Sequence, residues 1–111
     1  MMSNIKVVSA KDVKKQGAGE VGRESAQYLH GCDWIVAHLD VDVFDPTIMP
    51  GVNFPEPGGL IRDDVLDIFR ALNRTGKLKA VDLAAFNPTR DVDNKGRSLL
   101  IDLAPELIRP T

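Results

Sequence analysis

The chain has 111 residues, 43% of them hydrophobic and 27% charged, and a formal net charge of −2. This length suits one small domain with a single core, and the near balance of charge gives no basis for attraction to nucleic acid or to a membrane surface. Because Cys32 is the only cysteine and the first residues lack the apolar segment of a secretory signal, we expect a cytoplasmic protein without disulfides.

Strands and helices alternate along the first part of the chain. Residues 5–10 (IKVVSA) are β-branched and predict a first strand. Residues 11–16 predict a short helix, and residues 20–29 predict a second one. Residues 33–39 (DWIVAHL) predict a second strand, which we expect to be buried on both faces of a parallel sheet because it is mainly apolar.

A long irregular loop interrupts this alternation. Residues 45–59 contain four prolines and three glycines, and a loop of this length in a compact domain is commonly functional. Residues 61–72 predict an amphipathic helix, residues 79–86 predict a third strand, and residues 97–107 predict a last helix that breaks near Pro105. The order of these elements indicates an α/β fold, a parallel sheet with helical crossovers.

The segment GAGEVG, residues 17–22, matches the dinucleotide-binding pattern G-x-G-x-x-G. That pattern functions only where it directly follows a strand and opens a helix. Six residues separate the predicted first strand from Gly17. We therefore interpret the segment as a loop and a helix start.

Three aspartates, Asp40, Asp42 and Asp45, follow the second predicted strand. In a strand, residues two apart point to the same face, so Asp40 and Asp42 would point together with Cα atoms about 6.6 Å apart. Their carboxylates could share a hard divalent cation such as Mn²⁺ or Mg²⁺, at the strand end where ligands of open α/β sheets bind. We predict a metal role for these two residues and a turn-capping role for Asp45.

Other polar side chains are assigned structural roles. His38 shares the strand parity of Asp40, but a single strand histidine is more often hydrogen-bonded than functional. His30 lies at a helix end, where a cation suits the helix dipole. Cys32 has no His or Lys pattern around it that would make it a nucleophile. No catalytic residue is assigned.

The residues alone leave several site classes open. A calcium-binding EF-hand is excluded, because Phe44 occupies its fifth ligand position and Asp45 replaces its required glycine. A D-x-D sequence behind an apolar strand also describes the nucleophile strand of haloacid-dehalogenase-like phosphatases. The same sequence describes the metal–nucleotide-sugar site of glycosyltransferases.

Three segments read together resemble the arginase–agmatinase family, the ureohydrolases. They are DVDVFDPTIMPG at residues 40–51, PEPGGL at residues 55–60 and VDLAAFNP at residues 81–88. The residues before them are also similar to the family, so the resemblance covers nearly the whole chain. The combination favours a ureohydrolase over a phosphatase or a glycosyltransferase.

The resemblance implies a binuclear manganese hydrolase that releases urea from a guanidino compound such as arginine or agmatine. Asp40 and Asp42 match the family's metal-binding aspartates, and Asp45 matches a third acid with a structural part. His38 would contact a metal-binding residue without binding the metal itself, or would have a structural role. The family's sheet has eight parallel strands, and this chain would supply the last three as a single partial domain, residues 1–111.

The chain also departs from the family's pattern. The family's other metal ligands, an aspartate–alanine–histidine motif and a further histidine, lie upstream of the matching segment. Ala85 stands where the family has a glutamate that pairs with the substrate guanidinium, and Asn53-Phe54 stands where it often has Gly-Thr. Substrate-binding residues stay unassigned.

These departures predict a carboxyl-terminal part that is inactive alone and binds Mn²⁺ weakly or not at all, because affinity follows ligand number. We expect a homo-oligomer, or a partner that supplies the amino-terminal half. The alternative is a non-catalytic remnant or partner subunit that contributes sheet and interface.

Overall fold

A computed structural model describes residues 4–109. The helices and strands of these residues are, in chain order, α1 (Ala10–Gln16), α2 (Ala18–Tyr28), β1 (Ile35–Asp40), α3 (Arg62–Arg74), β2 (Leu78–Ala84) and α4 (Lys95–Leu107). Short 3-10 turns lie at Val41–Val43, Pro88–Arg90 and Val92–Asn94. The predicted α/β class, with parallel strands joined through a helix, is confirmed.

The predicted strand at residues 5–10 is wrong. Ala10 already belongs to α1, and the Ser9 hydroxyl oxygen caps that helix by accepting a hydrogen bond from the Asp12 N–H at 3.1 Å. Such a cap fixes the start of a helix. Val7 is 83% exposed, and the sheet in the described part of the chain consists of β1 and β2. Of the three expected strands, two therefore form.

Helices α2 and α3 pack closely on each other. Gly17, with φ of 95°, ends α1 and begins α2, so a helix rather than a strand precedes the GAGEVG segment, in agreement with its interpretation as a helix start. At Gly22 an added Cβ would lie 2.9 Å from both Ala71 Cβ and Ile68 Cα. The two helices reach this separation because position 22 has no side chain.

Strands β1 and β2 are parallel, with His38 beside Asp82 in the register. The expected burial of β1 on both faces is wrong for this chain. Leu39 is 7% exposed, but Val36 is 70% exposed and Trp34, just before the strand, is 75% exposed. The burial pattern of β1 shows that, within residues 4–109, the packed elements cover one face of the strand.

The core combines that covered sheet face with side chains of all four helices and of the long loop. Its fully buried side chains include Val41, Phe44, Met49, Leu103 and Leu107. Helix α4 runs through Pro105 instead of breaking there, because Leu103 and Leu107 hold its last turn against the core despite the lost backbone hydrogen bond. No helix among residues 4–109 is long and apolar enough to cross a membrane.

Candidate metal centre

Strand β1 ends at Asp40, and the chain then bends into the 3-10 turn Val41–Val43. The Asp40 carboxylate caps this turn, since its Oδ1 accepts a hydrogen bond from the Asp42 N–H at 2.9 Å. A side chain that bonds its own backbone two residues on competes with strand pairing. The expected strand geometry for Asp40 and Asp42 is therefore wrong, and a turn brings the two residues together instead.

Asp42 carries an unsatisfied oxygen. Its Oδ1 is buried and has no hydrogen-bond partner within the described residues. Burial raises the pKa of the Asp42 carboxyl above its usual value, and the charge of Asp40 raises it further. A buried acceptor without a partner costs free energy that a cation would offset.

The carboxylates at the end of β1 are ligands that a hard divalent cation prefers, but they are too few to complete its coordination shell. Carboxylate oxygens of Asp40 and Asp42 are suited to Mn²⁺ or Mg²⁺. Among residues 4–109, however, no three His, Cys, Asp or Glu side chains stand close enough together to hold a metal ion. Two carboxylates supply only part of a coordination shell.

Asp45 fastens both ends of the long loop. Its Oδ1 accepts hydrogen bonds from the Thr47 N–H at 3.0 Å and the Thr47 hydroxyl at 2.7 Å, and its Oδ2 accepts one from the Gly58 N–H at 3.0 Å. The Thr47 backbone and hydroxyl donors, followed by Gly58 and Gly59, hold the pKa of this carboxyl at about 2, below its usual 3.8.

Acid is therefore expected to release the loop. Because the folded pKa of Asp45 lies below the unfolded value, its stabilising contribution is present above about pH 4 and is lost as the pH falls toward 2. Urea unfolding midpoints of the protein and of Asp45→Asn, measured from pH 7 to pH 2, test this. The variant should be less stable at pH 7, and the difference should shrink between pH 4 and pH 2. Parallel pH curves would contradict it.

His38 pairs with a residue that sequence reasoning missed. Its Nδ1 lies 3.0 Å from both carboxylate oxygens of Asp82, its neighbour on β2. Because a carboxylate can only accept, Nδ1 must carry the proton, and the ring is held in one orientation. No local signal marked Asp82, since the pairing depends on the register of strands 44 residues apart.

The segment after β2 closes against the long loop. Asn87 donates from its backbone N–H to the Gly51 carbonyl oxygen and from Nδ2 to Asn53 Oδ1, both at 2.7 Å. Ala85, where the resemblance expects a glutamate, is exposed and has φ of 73°. This position offers no carboxylate to a guanidinium, whose usual partner is a bidentate acid.

Comparison with known proteins identifies the family of this chain. The sequence pattern of the arginase family matches residues 1–109. The chain belongs to the arginase family. It is 32% identical over 106 residues to the hepatic arginase of Aquarana catesbeiana, and this alignment covers 94% of this chain and 33% of that protein. It is 36% identical over 85 residues to a formimidoylglutamase of Cupriavidus pinatubonensis, covering 77% of this chain and 27% of that protein.

The same relationship appears in three dimensions. The crystal structure of arginase from Bacillus subtilis matches this arginase-family chain with a TM-score of 0.89 at 28% identity, covering 98% of this chain and 38% of that one. The predicted ureohydrolase family and its α/β fold are thus confirmed. The chain spans between 27% and 38% of the length of these three relatives.

Proposed function

We propose that this chain forms the carboxyl-terminal part of a manganese-dependent ureohydrolase that hydrolyses a guanidino compound, such as arginine or agmatine, and releases urea. Membership of the arginase family supports the reaction class. The observation that carries the metal assignment is the buried Oδ1 of Asp42, which lacks a hydrogen-bond partner within the described residues.

In this proposal Asp40 and Asp42 hold the metal from the end of β1. Bound Mn²⁺ would activate water near neutral pH and stabilise developing charge. Asp45 acts indirectly, because its hydrogen bonds to Thr47 and Gly58 fix the loop that follows the ligands. His38 has a structural role, because its hydrogen bond to Asp82 links β1, which ends at Asp40, to β2.

A complete site needs ligands from outside this chain. We propose that they come from an amino-terminal half, supplied by a longer polypeptide, by a partner, or by a homo-oligomer. The exposed apolar residues Trp34 and Val36, at 75% and 70% exposure, support such an association, because apolar surface on one side of a sheet is normally covered. In its absence the chain is expected to be inactive.

Calorimetry with Mn²⁺ tests the metal assignment directly. The unmutated protein should bind Mn²⁺ weakly, with a dissociation constant on the order of 0.1–1 mM, the range of the weakest protein sites for a hard divalent cation. Asp42→Ala should abolish this binding, because it removes the unsatisfied carboxylate. Asp33→Ala is the matched control: it removes an exposed acid just before β1 and should leave the affinity unchanged.

Two outcomes would contradict this assignment. Equal binding by the protein and Asp42→Ala would remove Asp42 as a ligand. Tight binding of two ions by residues 1–111 alone would contradict the need for outside ligands.

The second candidate function is a non-catalytic remnant or partner subunit. The specific observation in its favour is Ala85, which leaves the expected guanidinium-binding position without a carboxylate. A stable oligomer that contains no stoichiometric Mn²⁺ would favour this candidate. A site completed by a second polypeptide, with urea release, would favour the enzyme.

A cytoplasmic location is part of the same proposal. It is supported by the single cysteine, because disulfide-free chains suit a reducing compartment. Cys32 is exposed and unbonded. Cell fractionation would test the location.

A further inference from the structure

A groove of about 410 Å³ runs between the carboxyl-terminal parts of α2 and α3. Its lining includes the small residues Ala26 and Ala71 and the long cationic residues Arg23, Arg74 and Lys77. Alanines leave room between the helices, and the cationic side chains extend around that space. The result is a concave surface with positive charge at its sides.

The positive charge of this groove is largely uncompensated. Among the residues that the structure describes, no carboxylate side chain lines it. Arg23 is paired with Glu20 on the same helix, but within residues 4–109 neither Arg74 nor Lys77 forms a salt bridge. In a chain of net charge −2, this is a local excess of cations that repel one another until an anion binds.

One of these cations is held in place. Lys77 Nζ donates a hydrogen bond to the His30 carbonyl oxygen at 2.7 Å, and this leaves two N–H donors of the ammonium group for a ligand. The Arg74 guanidinium supplies further N–H donors in a planar arrangement that suits oxyanions. Together the two groups can neutralise two negative charges.

Helix dipoles account for only part of this arrangement. Arg74 lies in the last turn of α3, where a cation stabilises the helix dipole. Lys77 lies outside the helices, directly before β2, and Arg23 comes from the middle of α2. The dipole of α3 gives no reason for cations from three segments to converge on one groove.

We infer that this groove binds a small oxyanion that carries at least two negative charges, of the phosphate or polycarboxylate type. It lies far from the candidate metal centre. The Ile35 N–H donates to the Lys77 carbonyl oxygen at 2.8 Å, so Lys77 marks the amino ends of both strands, and Asp40 lies roughly 17 Å away at ~3.3 Å per strand residue. The inference therefore does not depend on the proposed function.

Titration calorimetry of the purified protein in metal-free buffer of low ionic strength tests this site with inorganic pyrophosphate and, separately, with citrate. The double variant Arg74→Gln/Lys77→Gln should weaken binding by about tenfold or more, because two charges near the ligand are removed. The control Lys11→Gln/Lys95→Gln makes the same change in net charge at exposed lysines outside the groove. It should weaken binding less than about threefold, through long-range attraction alone.

Pyrophosphate binding tighter than citrate would identify the phosphate class, and similar binding would identify a general polyanion site; both support the inference. Amide NMR shifts of Arg74, Thr75 and Lys77 in the unmutated protein should change on titration, which tests the site even if the double variant fails to fold. Absence of saturable binding, equal weakening in the two double variants, or shift changes elsewhere only would overturn it.

Discussion

Replacing Phe44 with alanine is expected to lower the free energy of unfolding by about 3–5 kcal/mol. Phe44 is 1% exposed and is among the largest fully buried side chains of the described residues. It follows the turn that contains Asp42 directly, and it pairs with Leu60 in an isolated β-bridge. Truncation would leave a cavity beside the turn that carries Asp42, and the cost grows with the cavity volume that the neighbouring side chains fail to fill.

Phe54 supplies the matched control for this prediction. It lies in the long loop that begins directly after Phe44 but is 78% exposed, so Phe54→Ala should change the free energy of unfolding by less than about 0.5 kcal/mol. Urea unfolding followed by circular dichroism measures both variants. Equal effects of the two truncations would show that Phe44 does not anchor this region.

Gly59→Ala is expected to destabilise the protein by about 3 kcal/mol, at the upper end of the usual cost of overpacking. An added Cβ would lie 2.5 Å from Asp45 N and from Phe44 C, and 2.7 Å from Phe44 O. These are backbone atoms, so no side-chain rotation can relieve the contact. The loop would have to move away from the turn that follows β1.

Gly58→Ala is the control for this prediction, because it introduces backbone strain without the steric clash expected at Gly59. At Gly58 an added Cβ meets nothing within 4 Å, but φ is +86°, so the expected cost is about 1–2 kcal/mol from the left-handed conformation alone. Chemical denaturation of both variants gives the comparison. If Gly59→Ala proved as mild as Gly58→Ala, the close packing of the loop against Asp45 would be disproved.

Local pattern was sufficient for most helices and for the family. The amphipathic period predicted a helix at residues 61–72, and the structure has one at Arg62–Arg74; the side chains of one face specify such a helix wherever it packs. The proline- and glycine-rich loop was also predicted from local chemistry. The motifs at residues 40–51, 55–60 and 81–88 carried the family resemblance that the comparisons confirmed.

Strand predictions succeeded only where a neighbouring strand exists. Residues 33–39 and 79–86 predicted strands, and β1 and β2 pair with each other. Residues 5–10 have more β-branched residues than either of those segments, but Ser9 caps the start of a helix there. β-Propensity reflects packing against neighbours rather than an intrinsic backbone preference, so the sequence of a segment cannot specify a strand by itself.

Local residue order was enough to predict two acids at the end of an apolar strand in an arginase-type motif. The orientation of the two carboxylates depends on the folded chain, because the strand stops at Asp40, the Asp40 carboxylate caps the turn that follows, and Asp42 Oδ1 is buried there. The His38–Asp82 pair and the cationic groove also arise only in the folded chain. Residues distant in sequence meet there through strand register and helix packing, which local spacing does not encode.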